Sequence, residues 1–188
     1  MSHTMAWNLV RLADAPPQPW KNGGGHTREL LAWPDGGSWR LRISVADITQ
    51  DGPFSQFDGV QRWFAVLEGG GVRLRIADTV HSLTQASAPM SFDGGVPAEC
   101  ELPNGPTRDF NLMVRGIPGQ MQRIQGRMER TMDGAKLAAC YGHQCGVFLQ
   151  INGASANLQA ATLAWCQVGA GDLVVVQAQD ALWMEVPC

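Results

Sequence analysis

Nine side chains in this sequence have types and spacings that could do chemistry: Lys21, Asn22, Arg28, Ser44, Ser55, Phe57, Arg62, Asp109 and Asn111. Cations and amides of this kind suit a small carboxylate or formyl-like group, because Arg presents paired donors in one plane and Asn both donates and accepts. Catalysis asks for more. A nucleophilic Ser44 or Ser55 needs a histidine base, and no GxSxG elbow is present. Asp109 or Glu68 suits a general base, yet a buried structural carboxylate explains either equally well. Several of these groups also have structural readings. Arg62 fits an outward barrel-surface arginine, Asp109 and Asn111 fit turn and strand-end caps, and Arg28 fits a partner of Glu29 or of solvent. Trp20, Trp39 and Phe57 fit core aromatics.

The best-marked stretch that would position these groups runs from Pro19 through Trp20-Lys21-Asn22-Gly23-Gly24-Gly25 to Leu30. Three consecutive glycines are kept where the backbone takes φ > 0 or passes close to something, so they predict a tight pass beside a pocket. Pro19 fixes its own φ and Trp20 supplies an apolar anchor, so Lys21 and Asn22 leave a pinned point in an ordered loop. The glycines lack the GxGxxG and GxxxxGK[ST] spacings, which sets nucleotide binding aside. Cys140, His143 and Cys145 offer three zinc ligands where a structural site needs four, and they are expected to be ordinary loop residues. The odd count of five cysteines points to reduced thiols.

Charged residues make up 16% of the 188, against about a quarter in a typical domain, while 22 glycines and 11 prolines suit short strands joined by tight turns. The expected class is all-β. A net charge of −3 argues against nucleic acid and anionic membrane surfaces as partners. No apolar run reaches membrane-spanning length and no basic-then-apolar leader is apparent, so the expected location is cytoplasmic.

Period-two alternation predicts strands over Trp39–Ala46, Arg62–Leu67, Val72–Ile76 and Asp109–Arg115. Arg62 shares a face with Phe64 and Val66. Asp109, Asn111, Met113 and Arg115 share one face of their strand, with Phe110, Leu112 and Val114 on the other; such a strand borders a site or an edge. A strand and turn are expected at Met90–Gly95 and again at Gly146–Gly153, with further strands at Ala98–Leu102, Gln120–Arg130, Ser155–Leu158, Thr162–Gln167, Leu173–Val176 and Leu182–Val186. The turn pattern after Leu67-Glu68-Gly69 is similar to that after Gln150-Ile151-Asn152-Gly153, as in a duplicated barrel.

Together, Pro19–Gly25, Thr27-Arg28-Glu29, Trp39-Arg40 with Ser44 and Ala46, Asp51–Ser55, Phe57-Asp58-Gly59, Arg62, Leu67-Glu68-Gly69 and Asp109–Met113 resemble the HutD/Ves family. The resemblance covers about residues 7 to 115; the C-terminal third matches in general shape. It implies a cupin-type double β-barrel (a bicupin, or RmlC-like jelly roll) over residues 5–188, with halves 5–115 and 116–188. It also implies a link to bacterial histidine utilisation as a regulator or ligand-binding accessory, with no reaction to carry over. A metal-binding cupin barrel needs two or three His and a Glu on one ion. Gly52–Gly71 contains no His, and His26, His81 and His143 are scattered, so no metal and no cofactor is expected. The expected partner is a small anionic metabolite, such as a histidine-pathway intermediate, and a homodimer is compatible with this reading. The alternative is a metal-independent hydrolase or isomerase acting on a small carboxylate.

Overall fold

The computed structural model describes residues 7–188, which form seventeen β-strands and one short 3-10 turn, with no α-helix among them. No helix among them is long and apolar enough to cross a membrane. The backbone divides into two compact units, residues 15–118 and residues 119–188 together with the N-terminal segment up to Asp14. Strand β1 (Asn8–Arg11) belongs to the latter.

The unit of residues 15–118 contains β2 (Pro17–Pro19), β3 (Gly25–Trp33), β4 (Leu41–Ile48), β5 (Gly52–Pro53) and β6 (Val60–Gly69). It continues with β7 (Val72–Ile76), β8 (Thr79–Leu83), β9 (Met90–Asp93), β10 (Ala98–Glu101) and β11 (Thr107–Arg115). They build a six-stranded sheet in the order β2-β3-β4-β11-β6-β9 and a four-stranded sheet in the order β5-β10-β7-β8. Ile48, Phe64, Val66 and Phe92 from the first sheet meet Val72, Leu74, Leu83, Ala98 and Cys100 from the second in one buried cluster. Burial of apolar area at roughly 25 cal/mol per Å² is what holds the sheets face to face.

Strand β11 is not an edge. It runs between β4 and β6, and Phe110, Leu112 and Val114 are as buried on its one face as Asp109 and Asn111 are on the other. Capping therefore does not explain Asp109 and Asn111, which sit mid-strand. Register then fixes their neighbours: Asp109 lies between Ala46 and Val66, Asn111 between Ser44 and Phe64, and Met113 between Arg42 and Arg62.

The other unit adds β12 (Gln120–Thr131), β13 (Lys136–Gly142), β14 (Val147–Ile151), β15 (Ala154–Leu158), β16 (Thr162–Val168) and β17 (Leu173–Pro187). Its sheet runs β1-β16-β13-β17-β14-β15, with β12 also paired to β17. The two strands expected at Leu173–Val176 and Leu182–Val186 are one continuous strand. Its partner β12 absorbs the irregularity between them with a register shift between Ile124 and Gly126, where Gly126 takes φ +103°. Cys140 is not a loop residue: it lies in β13, fully buried beside Ala138, Ala164 and Trp183 in the core. In the same unit Glu185, 4% exposed, accepts from Arg130, from Lys136 Nζ at 2.7 Å and from Trp183 Nε1 at 2.9 Å.

Candidate ligand-binding pocket

The glycine run does two separate jobs. Gly23 takes φ +73°, and its N–H closes a turn onto the Trp20 carbonyl at 3.0 Å. A Cβ on Gly25 would lie 2.1 Å from the Asp47 carbonyl oxygen, so only glycine allows β3 to start this close to β4. Asn22 Oδ1 accepts from the Gly24 N–H at 3.0 Å, and Trp20 Nε1 donates to Thr27 Oγ1 at 2.8 Å. The loop is thus tied at both ends and holds Lys21 and Asn22 at the lip of a cavity.

That cavity, of about 620 Å³, is walled by the Gln18–Asn22 loop, by Arg42, Ser44 and Ala46 of β4, by Pro53–Ser55 and Phe57, and by Arg62 of β6; Asp109, Asn111 and Met113 of β11 complete it. Eight of the nine residues singled out from the sequence line it: Lys21, Asn22, Ser44, Ser55, Phe57, Arg62, Asp109 and Asn111. The ninth, Arg28, is not among the lining residues. Its guanidinium donates instead to the Ala15 carbonyl. Phe54, Thr27 and Arg42 line the cavity without having been singled out, and Trp20, expected as a core aromatic, lines it as well. Only Arg42 carried a usable signal, its two-residue offset from Ser44 on the same strand face.

Arg62 is 6% exposed, so the barrel-surface reading fails. Its guanidinium carbon lies 5.1 Å from the Phe54 ring centre, 5.2 Å from that of Phe92 and 5.9 Å from that of Phe57. Nη1 donates to the Ser55 carbonyl at 3.3 Å and Nη2 to Asn111 Oδ1 at 3.2 Å, while Nε has no hydrogen-bond partner. Asn111 turns its Nδ2 to Asp109 Oδ1, and Asp109 Oδ2 is likewise without a partner.

Electrostatics follow from that burial. Desolvation pushes the Asp109 carboxyl up to about 8, against the opposing pull of the Asn111 hydrogen bond and the Arg62 charge. Desolvation also draws Arg62 down to about 10, an effect that Asp109 opposes and nearby Arg42 reinforces. Burial thus favours the neutral acid at Asp109 and leaves Arg62 as the cation of the pair. Both carry an unused hydrogen-bonding atom, a combination that costs free energy unless something fills it.

The cavity lining contains one carboxyl, no His and no Cys, against the cations Lys21, Arg42 and Arg62. That donor set repels a divalent cation and matches an anion, so a metal ion of the kind cupin-type folds can carry does not fit these residues. The histidines lie elsewhere. His26 Nε2 pairs with Asp47 at 2.8 Å, and His143 stacks on Tyr141. Asp47 also accepts from Arg108 at 2.6 and 3.0 Å. Burial works to raise its pKa, but the Arg108 hydrogen bond and charge, with His26 and Arg28, hold it below the usual carboxylate value.

A model of the HutD family matches residues 12–187. Among curated proteins, the uncharacterized 21.2 kDa protein in the hutC 3′ region of Pseudomonas putida is 41% identical over 125 residues, 64% of this chain and 62% of that protein. Protein Ves of Escherichia fergusonii is 33% identical over 102 residues, 53% of each chain. The matched stretches span less than two thirds of these relatives' lengths. A solved structure of a conserved protein of unknown function from Pseudomonas aeruginosa superposes with a TM-score of 0.83 at 30% identity, covering 97% of this chain and 98% of that one. The structure of HutD from Pseudomonas fluorescens in a formate condition gives 0.82 at 28% identity, with the same coverage. The formate complex of Lactobacillus farciminis oxalate decarboxylase gives 0.68 at 11% identity over 98% of this chain and 87% of that one, which supports a cupin-type fold and nothing finer.

Proposed function

The chain belongs to the HutD family, and we propose that its pocket binds a small carboxylate without a metal ion, as the sensing step of a regulatory or accessory role in histidine utilisation. The observation that carries this reading is Arg62: a buried cation, walled by three phenylalanines, facing a cavity with an unused Nε and no ion pair. An incoming carboxylate supplies the missing charge and accepts from the guanidinium, and charge-assisted hydrogen bonds of this type contribute about 1.5–3 kcal/mol. Asp109, held as the acid, adds a donor where an ionised aspartate would repel the ligand. The reading includes a cytoplasmic location and a bicupin architecture in which each unit is one barrel.

Thermal-shift and calorimetric titration with formate, acetate and the carboxylates of histidine breakdown test it. A saturable, Arg62-dependent rise in melting temperature supports it, and indifference to every carboxylate removes it. One observation favours a second reading, a metal-independent hydrolase or isomerase acting on a small carboxylate: Asp109 lines the cavity in surroundings whose burial favours its protonated form, so it can hand a proton to a bound substrate. Turnover of a bound ligand, lost in Asp109→Asn with binding retained, would shift the assignment to an enzyme.

A further inference from the structure

The floor of the pocket repeats a charge at a fixed interval. Met113 of β11 is the register partner of Arg42 on one side and of Arg62 on the other, so the three residues form one row across β4, β11 and β6. All three line the cavity. Neighbouring strands lie about 4.8 Å apart, which puts the two arginine backbones roughly 10 Å from each other with an apolar thioether side chain between them. The order along the row is cation, apolar, cation.

The two cations differ in how they are held. Arg62 is 6% exposed and keeps Nε unpartnered. Arg42, with its side chain 20% exposed, donates through Nε to Glu29 Oε2 at 2.7 Å, which fixes the plane of the guanidinium and leaves its Nη groups for another acceptor. Lys21 stands exposed at the lip. Three cations stand against two carboxyls, Asp109 in the lining and Glu29 beside Arg42; with burial favouring the acid form of Asp109, the balance still leaves room for more than one negative charge.

From this row we infer that the pocket is built for a dicarboxylate, one carboxylate on Arg62 and the other on Arg42 and Lys21, with the aliphatic spacer lying over Met113. The inference rests on the carboxylate reading above and specifies the ligand class. A monocarboxylate satisfies Arg62 alone and leaves the second cation to solvent. A very short dicarboxylate cannot reach both, since each guanidinium carbon stands about 4 Å from a bound carboxylate carbon when the pair is bidentate.

The test is calorimetric titration of the wild-type protein with the dicarboxylate series malonate to adipate, against monocarboxylates of matched chain length, propionate to hexanoate. One of the longer dicarboxylates is expected to bind at least about tenfold tighter than its matched monocarboxylate, a gap of about 1.4 kcal/mol. Arg42→Gln should close that gap by weakening dicarboxylate binding more than monocarboxylate binding, and Glu29→Gln should widen it. Equal affinities for matched pairs, with binding still lost in Arg62→Met, would overturn the dicarboxylate inference and leave the carboxylate pocket standing. Binding that ignores Arg62, or no binding by any acid, would overturn both. The wild-type comparison decides the matter even if Arg42→Gln fails to fold.

Discussion

Arg62 and Asp109 face the same cavity without forming an ion pair; Asn111 stands between them, accepting from one and donating to the other. A directly paired cation and carboxylate would close the site with a permanent internal salt bridge. Relayed through an amide, the two keep one unpartnered atom each. The two unpartnered atoms are themselves buried, so the lining carries an unmet hydrogen-bonding demand that its own residues do not fill.

Replacing Arg62 by Met should remove carboxylate binding while changing the ligand-free melting temperature by no more than about 3 °C. Truncating one partner of a buried salt bridge costs about 3–5 kcal/mol, but no such bridge exists here. The lost hydrogen bonds to Ser55 and Asn111, about 1 kcal/mol each, are offset by relief of a buried charge among three aromatic rings. A melting temperature lower by 8 °C or more would show that the arginine is structural.

Asp109→Asn should flatten the pH dependence of stability. The folded protein holds the Asp109 proton up to about pH 8, whereas the unfolded chain releases it near 4. The stabilisation is therefore complete below about pH 4 and is lost as pH rises towards 8, with a limiting slope of about 1.4 kcal/mol per pH unit. Asn mimics the neutral acid and has no proton to lose. Urea unfolding at pH 5, 6.5 and 8 should show the variant gaining on the wild type at each step, and parallel curves would place the Asp109 titration elsewhere.

Gly25→Ala should destabilise the protein by about 2–4 kcal/mol, because the clash at 2.1 Å is with the Asp47 backbone carbonyl and not with a side chain that can swing away. Ligand affinity should fall with it, since Lys21 and Asn22 hang from the same loop. Gly37→Ala, with only a side-chain atom at 3.4 Å, serves as the tolerant control.

Glu185→Gln should cost about 2–3 kcal/mol. This is less than a fully buried pair loses, because Arg130 remains 37% exposed. Burial works to raise the Glu185 pKa, but hydrogen bonds from Lys136, Trp183 and Arg130 outweigh it and hold the pKa below its usual 4.5. Its contribution is present above 4.5 and fades as pH falls through the lower folded value. The gap between variant and wild type in denaturant titrations should narrow on acidification below pH 4.5, and a constant gap would count against the ion network.

Much of the pocket was legible because strand parity is a local property. The spacing of Arg62, Phe64 and Val66 put a charge on a core face, and the spacing of Asp109 and Asn111 put polar groups on one face of the strand that pairs with it. Arg28 shows the limit: its hydrogen bond goes to the Ala15 carbonyl on the other side of a hairpin, a choice no one-strand pattern records. Strand β13 escaped for the opposite reason. Leu137 to Tyr141 are buried on both faces, so the run has no alternation to detect. The division of β17 into two strands followed from the polar Gln177, Gln179 and Asp180, where pairing with β12 nonetheless continues on either side of a register shift.

Synthesis on the ribosome gives the pairing of β1 with β16 a further meaning. Asn8 lies opposite Trp165, a partner 157 residues further along the chain. Residues 15–118 carry all of their own strand partners and can complete their sheets while the rest is still being translated. Asn8–Arg11 must wait through that whole interval with their backbone groups unmatched, until Thr162–Trp165 emerge to receive them. Assembly is nested in time: a segment made before residues 15–118 finds its place after them.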